Sequence, residues 1–201
     1  MIGLKSLCGR SVSDIDTPTL LIDLEKLEAN IHRYAEIAAQ AGVRLRPHIK
    51  THKTLEIAAM QLRAGACGIT AAKLGEAEVF AAAGVNDIFV AYPIIGMEKA
   101  RHAAEIARMC HLIVGVESVK GIQQLSQAAV EAGATLFVRV EVNSGLNRTG
   151  VKPAATAELC RQVLAAPGLE LDGIFTFRGI SFPEAQTRDP AVLGQQEGEL
   201  M

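Results

Sequence analysis

The sequence has no surplus of positive charge. Twenty Lys and Arg stand against 22 Asp and Glu, a formal net charge of −2, so nucleic acid and an anionic membrane are poor partners. It has no uninterrupted apolar run of about 18 or more residues, so no membrane-spanning helix is expected. Its first residues, MIGLKSLCGRSVSD, lack the apolar core and small-residue cleavage site of a secretory signal. Its four cysteines (Cys8, Cys67, Cys110, Cys160) lie far apart and form no Cys-x-x-Cys pair. That spacing argues against a disulfide or a cysteine metal site and predicts reduced, mostly buried thiols in a cytoplasmic protein. No Gly-x-Gly-x-x-Gly follows the first predicted strand, which disfavours a dinucleotide-binding domain. Linkers, low-complexity tracts and internal sequence repeats are also missing.

What is present is the composition of a globular domain. The 201 residues are 49% hydrophobic and 21% charged, enough for a sizeable core. That excludes a disordered chain, a collagen-like repeat and a disulfide-stapled miniprotein.

The apolar pattern alternates between two periods. Residues 19–24 (TLLIDL) read as a short strand after Pro18. Over 24–41, apolar residues at Leu24, Leu27, Ile31, Ala35 and Ala38 follow helical spacing, and Gly42 stops the helix. The same unit recurs: strand 44–50 and helix 54–64, strand 67–70 and helix 74–83, strand 87–92 and helix 97–109. Strand 111–116 precedes helix 118–132, which Ser118 caps and Gly133 stops. Strand 135–142, helix 154–165 and strand 171–177 follow. Asp189 as N-cap with Pro190 in the first turn opens a last helix. Short strands alternating with longer helices predict an α/β fold with a parallel sheet and helical crossovers. Apolar residues on both strand faces suit a helix-covered sheet or a closed barrel, and periodicity does not separate the two.

In parallel α/β folds chemistry gathers at the C-terminal strand ends. The segment closing the second predicted strand, RPHIKTHK at 46–53, is the unusual one. His48, Lys50 and His52 share a face while the strand lasts. A lysine among other cations has its ammonium form disfavoured, which prepares it to form a Schiff base with an aldehyde. A solvated basic strand end holding a phosphate, and a His-x3-His metal pair, are the alternatives that the residues leave open. Lys53 and Lys73 read as structural or solvent-facing, and Glu76 as a first-turn helix charge.

RPHIKTHK, preceded by TPTLLIDLEKLEANI and followed by AAKLGEAEVFAAAGVNDIFVAYPIIG, resembles the N-terminal, alanine-racemase-like barrel of pyridoxal-phosphate enzymes that act on D-amino acids. D-threonine aldolases and eukaryotic-type D-serine dehydratases are the relatives it is most similar to, and the resemblance runs from about Asp16 to Met201. It implies a parallel (β/α) TIM-type barrel and a pyridoxal 5′-phosphate cofactor bound as a Schiff base on Lys50. It also implies that Arg148, in GLNRTG, lies beside the cofactor ring and its phenolic oxygen, as the GMxRxG element of alanine racemases does. His48 and Thr176 complete the cofactor-binding set, and no metal ligand is assigned. Asn143 stands where relatives often have Asp, and reads as a loop-shaping residue. The family's Y-A-H-C-G-x-x-Y stretch is represented by Phe175, Phe177 and Phe182, which cannot donate a hydrogen bond or carry a proton.

The resemblance implies a boundary as well. Residues 1–24 are expected to hold a strand that joins a β-domain. Residues 25–201 are expected to form a partial barrel of about six strands out of eight, around Ile49, Ile69, Phe89, Val114, Val138 and Ile174. The remaining barrel strands, much of the phosphate cradle and a β-domain carrying a divalent-metal site would lie outside the sequence. The implied activity is cleavage of a D-β-hydroxy amino acid to glycine and an aldehyde, by a protein that is a homodimer in full-length relatives. Dehydration of D-serine type, racemisation and a non-catalytic truncated barrel are the alternatives.

Overall fold

A computed structural model describes residues 9–178 and 189–201. Helices α1 (Leu24–Gln40) and α2 (Leu55–Arg63) precede β1 (Ile69–Ala71). Then α3 (Leu74–Ala82), β2 (Asp87–Pro93), α4 (Met97–Ala107), β3 (His111–Val116), α5 (Val119–Ala132), β4 (Leu136–Val142), α6 (Pro153–Ala165), β5 (Leu169–Thr176) and α7 (Pro190–Leu200) alternate. All pairings are parallel, and the spatial order β1-β2-β3-β4-β5 is the sequence order. An open doubly wound sheet reverses its strand order at a switch point; this sheet does not. The fold is α/β, a partial parallel (β/α) barrel wall.

The outer face of the sheet is the core. Ile88, Val90, Leu112, Val114, Leu136 and Val138 are fully buried, each worth about 1.5–3 kcal/mol of transfer free energy. Small residues of the covering helices, among them Ala100, Ala103, Ala104 and Ala129, are buried against them. Side chains alternate along a strand, so the concave face carries a different set. There Arg46 meets Asp87 through two hydrogen bonds of 2.5 and 3.0 Å, and His111 Nδ1 lies 3.5 Å from the same carboxylate. Arg139 pairs with Asp172 and stacks 4.8 Å above Phe89, whose ring meets Phe175 edge-on at 4.9 Å.

Local signals place the helix ends. Asp23 accepts from Lys26 N–H, Ser118 from Gly121 N–H and Asp189 from Ala191 N–H. Gly133, at φ 59°, closes α5 in the left-handed region.

Two expected strands differ. Residues 19–24, expected to pair with a β-domain, join no strand ladder among the described residues. Leu20 is 97% exposed, and Leu24 already belongs to α1. An apolar run becomes a strand only where another edge takes its backbone groups. The segment expected as strand 44–50 lies alongside β1 through Cys67 N–Leu45 O, Thr70 N–Pro47 O and a single bridge at His48. It then tightens into a 3-10 turn at Ile49–Thr51. Pro47 has no N–H for a ladder, and His48 Nδ1 accepts the Lys50 N–H at 3.3 Å. Cys67, Cys110 and Cys160 are free thiols, half-buried rather than buried. Burial pushes Cys110 up to about 11. Cys8 and Phe182 lie outside the described residues.

Candidate active site

A cavity of about 360 Å³ opens at the C-terminal ends of the strands. His48, Lys50, Arg148 and Thr176, the residues singled out from the sequence, all line it. Phe89, Tyr92, Phe175 and Phe177 give it aromatic walls.

Lys50 reaches the cavity from the 3-10 turn, with Ile49 fully buried as the anchor beneath it. Its ammonium lies 5.9 Å from the centre of the Phe177 ring, and no carboxylate among the described residues pairs with it. The Arg148 guanidinium lies 5.0 Å from the same ring. One aromatic side chain thus bridges the two predicted cations, a cation–π arrangement on both.

His48 accepts the Lys50 N–H on Nδ1, so its neutral form carries the proton on Nε2. Burial, then the Lys50 charge, lower its pKa against a smaller opposing pull from Glu76. Thr176 is more constrained than expected. Its hydroxyl donates to Val142 O at 2.7 Å and stands 2.6 Å from Ser144 Oγ, which is buried. With its proton on the carbonyl, Thr176 accepts from Ser144 and has no donor left for a ligand.

The loop between β4 and α6 presents Arg148. Asn143 Oδ1 accepts from the N–H groups of Gly145 and Asn147, the loop-shaping part expected of it. Gly150 sits at φ 98°, where a Cβ would come within 2.7 Å of Asn143 N. Glu141, Glu117 and Ser144 escaped the sequence reading. Phe137, Arg139 and Glu141 alternate on the concave face of β4, and that period was the available signal.

Lys53 and Lys73 do not line the cavity. Lys53, at φ 51°, reaches Glu76 at 3.3 Å. Glu76 is buried rather than a simple surface charge, and accepts the Ala72 N–H at 2.9 Å. Burial pushes its pKa up, but Ala72, Lys53 and Lys73 hold it below the usual range.

A larger cavity of about 580 Å³ lies between α1, α2 and the 45–52 segment, lined by side chains such as Leu27, Ile31, Tyr34 and Ile57. It holds neither Lys50 nor Arg148, so the chemistry points to the smaller one. His52 spends Nδ1 on the Thr54 N–H. Among the described residues no three His, Cys, Asp or Glu side chains are grouped to hold a metal ion, and no helix is long and apolar enough to cross a membrane.

A model of the alanine racemase N-terminal domain matches residues 22–196. The chain is 38% identical to a D-threonine aldolase of an Arthrobacter species over 90% of its own length and 48% of that protein's. It is 37% identical to a D-threo-3-hydroxyaspartate dehydratase of a Delftia species, covering 85% of this chain and 47% of the relative. The crystal structure of D-threonine aldolase from Filomicrobium marinum superposes with a TM-score of 0.88 at 35% identity, over 94% of this chain and 52% of that one. The chain spans about half the length of the curated relatives it matches.

Proposed function

The chain belongs to the family of the alanine racemase N-terminal domain, and on that footing we propose that its cavity binds pyridoxal 5′-phosphate through the amine of Lys50. The reaction it serves is cleavage of a D-β-hydroxy amino acid to glycine and an aldehyde. The observation that carries the reading is the convergence of Lys50 and Arg148 on one ring of one cavity.

The residues fit the group. A planar, anionic aldehyde needs a free amine, a fixed cation and flat apolar walls. Lys50, Arg148 and the four aromatic side chains supply these in about 360 Å³. When bound, the cofactor takes up the electrons of the bond broken at the substrate α-carbon.

The chain's own residues do the rest. Lys50 holds the aldehyde and exchanges protons at Nζ. Arg148 offers a permanently charged planar donor to an anionic ring oxygen. His48, whose pKa burial and the Lys50 charge lower, lines the same cavity and has Nε2 available for a proton. Thr176 and Ser144 fix the ends of β4 and β5 against each other. Phe177 sets its ring against both cations, 5.9 Å from Lys50 and 5.0 Å from Arg148.

A dehydration must deliver a proton to the leaving hydroxyl. Phe175 and Phe177 have none to give, which favours carbon–carbon cleavage. Arthrobacter D-threonine aldolase directs the choice of substrate. D-threonine supplied with pyridoxal 5′-phosphate, with and without divalent metal, should yield glycine and acetaldehyde. Ammonia release without glycine would overturn the aldolase reading in favour of a dehydratase.

A further inference from the structure

Glu141 has no part in the reading above, yet it stands 3% exposed at the end of β4. Its Oε1 accepts from Thr149 Oγ1 at 2.7 Å, and its Oε2 is buried with no hydrogen-bond partner among the described residues. Buried carboxylate oxygens are seldom left so, and one that is calls for a reason. The surroundings supply it. Thr149 and Gly150 directly follow Arg148. Glu141 holds the first, and Glu117, in the loop after β3, accepts the N–H of the second. Asn143 holds the loop on the other side of Arg148 through Gly145 and Asn147.

We propose that Glu141 is the positioning residue for Arg148: its carboxylate anchors the loop through Thr149 and supplies the negative charge that keeps the guanidinium at the cavity wall. The proposal rests on the reading of that cavity as the cofactor site. The charges around Glu141 agree with it. Burial leaves its pKa raised; the Thr149 hydrogen bond pulls it down, Glu117 adds to the push, and the Arg148 charge, the smallest cause, pulls it down again. An amide at 141 would keep an acceptor for Thr149 but lose that charge, so the two contributions are separable.

Two readouts test this. In the cofactor-free protein, phenylglyoxal modification of Arg148, followed by mass spectrometry, should run at least threefold faster in E141Q and E141A than in wild type. In the presence of pyridoxal 5′-phosphate, the apparent Kd from the band above about 400 nm should weaken at least tenfold in E141A. In an R148Q background the same substitution should change it less than twofold, because its effect passes through Arg148. Equal weakening in both backgrounds, or an unchanged Arg148 modification rate, would overturn the proposal. Should E141A not fold, E141Q carries both comparisons. A wild type with no Lys50-dependent band would sink the cofactor reading, and the modification rates would still decide the part of Glu141.

Discussion

Asp87→Ala probes the ion pair that holds the Lys50 segment to the sheet. Arg46 lies just before the turn, its side chain is 11% exposed, and both its terminal nitrogens reach Asp87. Removing the carboxylate leaves a nearly buried guanidinium without its partner, a loss of about 3–5 kcal/mol for a fully buried pair. Asp87 is one-third exposed, so solvent softens the loss to about 3 kcal/mol. With a urea slope of about 2 kcal/mol/M, the unfolding midpoint falls by about 1.5 M. Arg161→Ala breaks an exposed pair with Glu158 and should cost under about 1 kcal/mol. The double variant R46M/D87A should cost less than the sum of its singles, because no charge is stranded.

The pH dependence of the Asp87 effect has a definite sign. Burial raises the Asp87 pKa, but the Arg46 hydrogen bond and charge, then His111, carry it below the usual range. A depressed carboxylate stabilises fully above its unfolded pKa, about 3.9, and loses that contribution as pH falls through the folded value. The gap between wild type and D87A should stay constant from neutral pH to about pH 5 and close only below about pH 4. A midpoint shift under about 0.5 M at neutral pH, or simple additivity of R46M and D87A, would refute the ion-pair argument.

Other outcomes follow from single contacts. A Cβ at Gly115 would stand 2.8 Å from Tyr92 O and 3.1 Å from Phe175 Cζ, so Gly115→Ala should cost about 1–3 kcal/mol in a thermal melt, and an unchanged melt contradicts the packing. Thr176→Val strands the buried Ser144 hydroxyl and the Val142 carbonyl and should cost about 1–3 kcal/mol, more than Ser144→Ala; the reverse order contradicts the direction of the bonds. His48 should titrate below the usual imidazole value of about 6.5 in an NMR experiment and move upward in Lys50→Met. Its depressed pKa means a stabilisation present above that usual value and lost as pH falls through the folded one.

The helices were legible because each carries a period, a stop or a cap. Leu24, Leu27 and Ile31 mark α1, Ser118 and Gly133 bracket α5, and Asp189-Pro190 opens α7. The central strands were legible as apolar runs. TLLIDL has strand composition, and the edge expected for it belongs to a β-domain and not to this sheet. RLRPHIK has strand composition as well, and Pro47 with the His48 side chain turns it into a bridge and a 3-10 turn. Lys50, His48, Arg148 and Thr176, singled out from the sequence, line one cavity in the structure. Glu141 was not singled out, because a carboxylate inside VRVEV reads as solvent-facing unless the inward period of Phe137, Arg139 and Glu141 is followed. The clamp on the Thr176 hydroxyl was not legible, because it depends on Val142 O and on Ser144 in the loop after β4.

The account stands on Lys50, and one titration addresses it. Pyridoxal 5′-phosphate added to the protein should produce an absorbance band above about 400 nm, the general signature of the cofactor joined to a lysine. The band should vanish in Lys50→Ala and persist in Lys53→Ala and Lys73→Ala. A band that survives Lys50→Ala, or no band in the wild-type protein, would contradict the assignment of this cavity.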